Sequence, residues 1–115
     1  MGKVVVNAEV GSVFSLSEIA WQMLAAIKGL RFSHCDPGGL CCYLSEGEGE
    51  PERPFYCREM DRSDDALVRT VERLGTLANA GHTNLRIVAV PDNVDWEVRS
   101  VNGYEYVTDG KKIWT

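Results

Sequence analysis

Four cysteines lie close together in the sequence and are the residues best suited to chemistry. Cys35, Cys41, Cys42 and Cys57 follow His34 within one short stretch. Thiolates and imidazole could hold zinc tetrahedrally, and a cysteine beside a histidine could act as a nucleophile. However, the spacing lacks the two-residue gap of a zinc knuckle, and no catalytic signature surrounds any cysteine. The sequence therefore predicts reduced, metal-free thiols that pack as small apolar side chains.

Carboxylates are frequent near the end of the chain, at Asp92, Asp95 and Glu97. Alternate residues of a strand share one face, which would place Asp95 and Glu97 side by side. General acid–base catalysis would require one of them to be buried with a raised pKa. The pattern instead favours a turn followed by a solvated strand face. We assign no catalytic residue and no cofactor, and expect a binding protein rather than an enzyme.

Aromatic residues accompany these carboxylates on a predicted hairpin. Tyrosine and tryptophan supply a large contact area with few rotatable bonds, which makes them frequent anchors of protein interfaces. The predicted binding surface therefore consists of Asp95, Trp96, Glu97, Tyr104 and Tyr106. Its acidic character suits a basic partner protein. In the alternative interpretation Trp96 belongs to the core.

A second candidate site precedes the first helix. Ser12, Ser15 and Ser17 could present hydroxyls and backbone N–H groups to a small anion, such as a nucleotide-like ligand, although serines also commonly cap helices. The chain has no glycine-rich phosphate loop, because the glycines at 47 and 49 lie in an acidic segment. A small-molecule-binding or sequestering protein is therefore the alternative to a protein-binding one.

Length and charge limit the remaining possibilities. The chain has 115 residues and a formal charge of -5, from 12 basic and 17 acidic side chains. Binding to nucleic acid is disfavoured, because it requires clustered Lys and Arg. The sequence shows neither a secretory signal nor a membrane-spanning segment, which predicts a cytoplasmic protein. A homo-oligomer is left open.

The elements that would position these residues follow from hydrophobic periodicity and turn signals. Helices are predicted at about 16–28 and 64–79, firm strands at 3–8, 85–90, 96–101 and 104–108, and less regular strands at 30–32, 40–44 and 55–57. This order predicts an α+β fold, in which two helices pack on one face of a small, mostly antiparallel sheet. One domain spans 1–115, with a mobile loop around 45–54.

Four finer expectations concern burial and helix capping. The apolar run at 3–8 is typical of a central, buried strand. Ser15 and Ser17 are equally suitable caps for the first helix. Trp21 lies at the edge of that helix's apolar stripe and is expected to be partly exposed, whereas Leu77 belongs to the apolar stripe of the second helix.

Several segments together resemble a family of short bacteriophage and prophage proteins. They are KVVVN at 3–7, FSLS at 14–17, KG at 28–29, LVxxVExLG at 67–75 and IVxxPDxVDWE at 87–97, where x is a position outside the match, followed by Gly103, Glu105, Val107 and Trp114. The chain has Gly-Ser-Val-Phe at 11–14 where the family has an aromatic-Gly-Gly-Phe turn. The resemblance implies a phage-encoded accessory protein in the host cytoplasm that binds and modulates a host macromolecule, such as a host-defence component. It carries over no catalytic residue.

Overall fold

The structure is a computed structural model that describes residues 2–115. Over these residues two α-helices and eight strands form three small antiparallel sheets, which confirms the predicted α+β class. The elements are β1 Gly2–Asn7, α1 Glu18–Lys28, β2 Arg31–Cys35, β3 Cys41–Ser45, β4 Arg53–Tyr56, α2 Asp65–Leu74, β5 Leu85–Val90, β6 Glu97–Val101, β7 Tyr104–Thr108 and β8 Ile113–Trp114. Short 3-10 turns occupy Cys57–Glu59 and Gly75–Ala78.

The two-stranded sheet of β1 and β5 separates two cores. Its strands pair antiparallel, with Gly2 opposite Val90. Val5 faces the larger core beside the helices, whereas Val4 and Val6 face a second core against the β6–β7–β8 sheet. Within residues 2–115, β1 pairs only with β5, so the prediction of a central strand is wrong. The strand is buried because layers cover both of its faces.

The helices cover the larger core from one side and the β2–β3–β4 sheet adjoins them. Trp21 is fully buried there, and its indole N–H donates to the carbonyl of Gly39 at 3.0 Å. The prediction that Trp21 is partly exposed is therefore wrong. The tip of the β2–β3 hairpin covers α1 beyond the edge of its apolar stripe, so the buried face of the helix is wider than the stripe. Helix periodicity alone does not reveal this contact.

Both helices begin at side-chain caps. Ser17, rather than Ser15, caps α1 by accepting from the Ala20 N–H at 3.2 Å. Asp64 caps α2 by accepting from the Leu67 N–H at 3.1 Å. The predicted second helix is shorter than expected, because the chain leaves α-helical geometry at Gly75–Ala78.

The 3-10 turn after α2 also changes the position of one apolar side chain. Leu77 is exposed, so its assignment to the apolar stripe is wrong. The side chains of a 3-10 segment do not continue the angular spacing of an α-helix. The periodicity that held through Leu74 therefore does not extend to Leu77.

The β2–β3 hairpin turns at Asp36-Pro37-Gly38-Gly39, a sequence typical of tight turns, and meets the start of α1. Gly39 has a φ of +74°, and a Cβ built there would lie 1.9 Å from the Leu16 carbonyl oxygen. Glycine is therefore required for this approach of the two backbones. The Glu-rich segment after β3 is largely exposed, and its mobility stays a prediction.

The β6–β7–β8 sheet is the outermost layer. Val98, Val107 and Trp114 point from its inner face into the second core.

No helix in the described part of the chain is long and apolar enough to cross a membrane.

Candidate functional site

The structure brings together three of the side chains predicted on the hairpin. Directly opposed residues of an antiparallel pair point to the same face. Tyr104 is opposite Val101, and Tyr106 is opposite Arg99. Arg99 and Glu97 are two positions apart on β6 and therefore share a face. Glu97, Tyr104 and Tyr106 therefore lie on the outer face of the sheet. We call this the outer hairpin face.

The other two predicted residues lie elsewhere. Trp96 is half-buried and packs against the second core, as in the alternative interpretation. Asp95 is exposed in the irregular segment before β6. The carboxylate of Glu97 is paired with the guanidinium of Arg99 on the same face, so that much of its charge is locally compensated.

A cavity of about 730 Å³ lies on the other side of the same hairpin. It is bounded by the turn before α1, the start of β3, the segment between β4 and α2, and the β6–β7 turn. Its lining residues are Gly11, Ser12, Val13, Phe14, Leu40, Tyr56, Arg58, Arg62, Ser100, Asn102, Gly103 and Glu105. The cavity combines apolar walls with polar and charged groups, as ligand sites commonly do.

Two tight turns form one wall of the cavity. The Gly11 N–H donates to the carbonyl of Asn102 at 2.6 Å. Gly103 has a φ of +90°, and a Cβ built there would lie 2.2 Å from the Ser12 carbonyl oxygen. The turns approach this closely only because residue 103 has no side chain.

Behind this wall, Asn7 links three parts of the chain. It is fully buried at the end of β1. Its side-chain amide donates to the Ser12 hydroxyl at 2.8 Å and accepts from the Asn84 N–H at 3.0 Å, while its backbone N–H donates to Glu105 at 2.7 Å. A buried amide satisfied in this way fixes the turn before α1 to the sheet.

An ion pair between Arg62 and Glu105 forms the floor of the cavity. The two terminal guanidinium nitrogens of Arg62, Nη1 and Nη2, donate to the two carboxylate oxygens of Glu105 at 2.5 and 2.7 Å. The guanidinium also lies over the ring of Phe14, 3.6 Å from its centroid. Only 15% of the Arg62 side chain and 11% of the Glu105 side chain are exposed. This buried, bidentate pair is the most constrained charged group of the site.

Arg58 is the second cation of the cavity, and its environment differs from that of Arg62. Its side chain is exposed, and the guanidinium carbon lies 4.6 Å from the centroid of the Tyr56 ring. Among residues 2–115, no carboxylate forms an ion pair with it. Since Glu105 neutralises Arg62, Arg58 gives the cavity its uncompensated positive charge.

The cysteines are placed in the core rather than around the cavity. Cys41, Cys42 and Cys57 are buried and Cys35 is half-buried, with all four unpaired. Burial raises the pKa of Cys57 to about 12 and also raises the pKa of Cys35 and Cys42. These shifts favour the neutral thiol over the nucleophilic thiolate. Within the described residues, no group of three or more His, Cys, Asp or Glu is arranged to hold a metal.

The sequence predicts part of the cavity lining but not its charged groups. Of the three serines proposed for a small anion, Ser12 lines the cavity, Ser15 is buried and Ser17 caps α1. The sequence does not indicate that Arg62 and Glu105 form an ion pair in a site, because they are 43 positions apart and no local motif connects them.

No family model, curated protein or solved structure matches this chain. The resemblance to short phage proteins therefore stays a prediction. The cavity and the outer hairpin face are the two features on which function can be argued.

Proposed function

We propose that this protein is a non-enzymatic small-molecule-binding protein and that the cavity above the Arg62–Glu105 pair is its binding site. The observation that carries the proposal is the 730 Å³ volume, which falls within the range of roughly 300–1,000 Å³ that is usual for ligand sites. Its apolar walls can bury a ligand, and its few polar groups can orient one.

Contacts within the chain hold the walls of the cavity together. Arg62 is fixed to β1 by a pair of bonds with Val5: the Val5 N–H donates to the Arg62 carbonyl at 2.8 Å, and the Arg62 guanidinium donates to the Val5 carbonyl at 3.3 Å. With Glu105 on β7, these contacts join three elements around the cavity. A preorganised site loses less conformational entropy when it binds, which favours affinity.

The groups around the cavity suit binding better than catalysis. Its described lining contains neither histidine nor cysteine, and its carboxylate, Glu105, is held by Arg62. A general base needs a lone pair that can reach the substrate proton. The paired carboxylate of Glu105 lacks that freedom, so we propose retention of an unchanged ligand.

A ligand screen tests this proposal. Neutral, cationic and anionic compounds would be scanned by thermal shift and then by amide NMR, with Ser100→Trp as a variant that fills the cavity from β6. A ligand at about 100 times its Kd stabilises the native state by about 2.7 kcal/mol, which a thermal scan resolves. We expect Ser100→Trp to abolish the shift and the exposed substitution Thr76→Trp to preserve it. Failure of every compound to perturb the lining residues would overturn the proposal.

A second candidate function is favoured by the outer hairpin face. Val101, Tyr104 and Ile113 expose large apolar surface there, and no further layer covers them within residues 2–115. A host protein with a basic surface is the partner we propose for this face, consistent with the net charge of -5 and with the resemblance to phage proteins. A cytoplasmic host-defence component would belong to this class.

Binding kinetics test this second function. Affinity capture from host cells would supply the partner, and the purified partner would then be measured against variants. Loss of Tyr104 should speed dissociation, whereas charge reversal at Asp95 and Glu97 should slow association. Val10→Ser, at another exposed apolar position, is the control. Unchanged rates in a folded Tyr104→Ala, Tyr106→Ala variant would exclude this face.

A further inference from the structure

The charges around the cavity indicate the sign of its ligand. Its charged lining side chains are Arg58, Arg62 and Glu105. Arg62 and Glu105 compensate each other at hydrogen-bond distance, which leaves one cation. An isolated positive group beside a largely apolar surface attracts an anion to that point.

Arg58 is available to bind that anion. Its present contact is with the face of Tyr56, and a cation–π contact is weak when the cation is exposed to water. A charge-assisted hydrogen bond to an anionic oxygen is stronger, and a guanidinium can make two of them. The guanidinium can therefore turn from the ring to an anion, and this movement would uncover the ring of Tyr56.

The remaining walls suit a flat, apolar group next to the anion. Val13 and Leu40 are exposed and line the same cavity as Tyr56. A planar ring stacked on Tyr56 would cover these side chains and remove apolar surface from water. The hydroxyl of Ser12 and the amide of Asn102 can hydrogen-bond to polar atoms at the edge of such a ring.

We propose that the cavity binds a nucleotide-like anion, in which Arg58 holds the anionic group and Tyr56 stacks on the planar ring. This inference rests on the proposed function, since it specifies the ligand of the same cavity. Arg58 is then the residue that determines specificity for charge, and Arg62 supports the site through Glu105.

Matched pairs of compounds test the inference. Titration calorimetry and amide NMR would compare the four nucleoside 5′-monophosphates with their neutral nucleosides and with inorganic phosphate. We expect at least one monophosphate to bind ten-fold or more tightly than both its nucleoside and phosphate alone. The affinity should fall as salt is raised, because an ion pair contributes to it.

Substitutions at Arg58 test whether this residue causes the preference for monophosphate over nucleoside. Arg58→Gln should abolish the preference for monophosphate over nucleoside, and Arg58→Lys should retain part of it, since Lys keeps the charge without the planar fork. Arg53→Gln, on the strand that leads to Tyr56, makes the same change in net charge outside the cavity and should have no effect. Tyr56→Leu should weaken the monophosphate and the nucleoside alike. Urea midpoints would verify that each variant is folded.

The outcomes separate this inference from the proposed function. Equal binding of nucleosides and monophosphates, or a preference that survives Arg58→Gln, would overturn the proposal that Arg58 holds an anionic group. The cavity would remain a binding site. Equal binding of phosphate and the monophosphates would overturn the proposal that a planar ring of the ligand contributes to binding. Binding in the cavity only by compounds outside the nucleotide panel would overturn the ligand class alone, whereas failure of every compound in the broader screen would overturn both proposals.

Discussion

Arg62 and Glu105 are 43 positions apart in the sequence, yet their side chains meet through two hydrogen bonds of 2.5 and 2.7 Å beneath the cavity. The pair joins the segment before α2 to β7. It also supports two neighbours, because Arg62 covers the ring of Phe14 and Glu105 accepts from the Asn7 N–H. The pair therefore helps to hold in place several of the elements that surround the cavity.

Removing one partner of the pair should destabilise the fold. Glu105→Gln leaves the Arg62 cation in a mostly buried position without its counter-charge, and such losses cost about 3–5 kcal/mol. Urea denaturation would measure the change in free energy of unfolding. Glu97→Gln is the matched control: its pair with Arg99 is about half exposed, so its loss should cost less than about 1 kcal/mol. Equal effects of the two substitutions would show that the Arg62–Glu105 pair is not specially stabilising.

The contact between the two turns leads to a prediction at Gly103. Gly103→Ala must accommodate both a φ of +90° and a Cβ placed 2.2 Å from the Ser12 carbonyl oxygen. Gly110 has a φ of +92° with open space around it, so Gly110→Ala measures the backbone strain alone. We expect Gly103→Ala to be less stable than Gly110→Ala by roughly 1–3 kcal/mol, the usual cost of overpacking. Similar urea midpoints for the two variants would mean that the turn before α1 moves away freely.

Two positions of α1 test the burial of its faces. Leu24 is fully buried, whereas Ile19 is 46% exposed although it belongs to the same apolar stripe in the sequence. Leu24→Ala should therefore lower the free energy of unfolding by about 2–5 kcal/mol. Ile19→Ala removes side-chain carbons from the same helix and should cost about 1 kcal/mol or less. Chemical denaturation of both variants would check this difference, and a reversed order would mean that the helix is rotated.

Local sequence signals were sufficient to predict most of the elements. Asn102-Gly103 predicted the β6–β7 hairpin, because both residues adopt the positive φ that a two-residue turn requires. A serine at 15 or 17 and the glycine at 29 predicted the ends of α1 for similarly local reasons, but the sequence did not decide between the two serines. Turn and cap chemistry is decided within a few residues, so it can be read from a single sequence.

The features that were missed depend on distant parts of the chain. Trp21 is buried by the hairpin that carries Gly39, 18 positions later. The hydrophobic run of β1 indicated burial correctly, but it could not show whether paired strands or packed layers cover the strand. The cavity likewise requires residues from 11 to 105 to meet, and only its Ser12 edge was anticipated.

The last prediction concerns alkaline pH. Burial raises the pKa of Cys57 to about 12 and raises the pKa of Cys42 as well, whereas a thiol in an unfolded chain titrates at about 8.5. Above that pH the unfolded chain releases its thiol protons while the native state retains them. The native state then binds more protons, so the free energy of unfolding falls as pH rises. The contribution is fully present below about 8.5 and declines by at most about 1.4 kcal/mol per pH unit for each such thiol.

Urea denaturation between pH 7 and pH 10 would measure this decline, in a range chosen to limit the contribution of Tyr and Lys titration. Cys57→Ala should lower stability at pH 7, because it removes a buried group whose thiol donates to the Gly39 carbonyl at 3.3 Å. The variant should nevertheless lose less stability than the wild type between pH 8.5 and pH 10, since it has one buried thiol fewer to deprotonate on unfolding. The control is Thr70→Ala, which removes another buried hydrogen-bond donor without changing any titration. A Cys57→Ala variant with the full alkaline decline of the wild type would show that the thiol of Cys57 titrates normally in the native state.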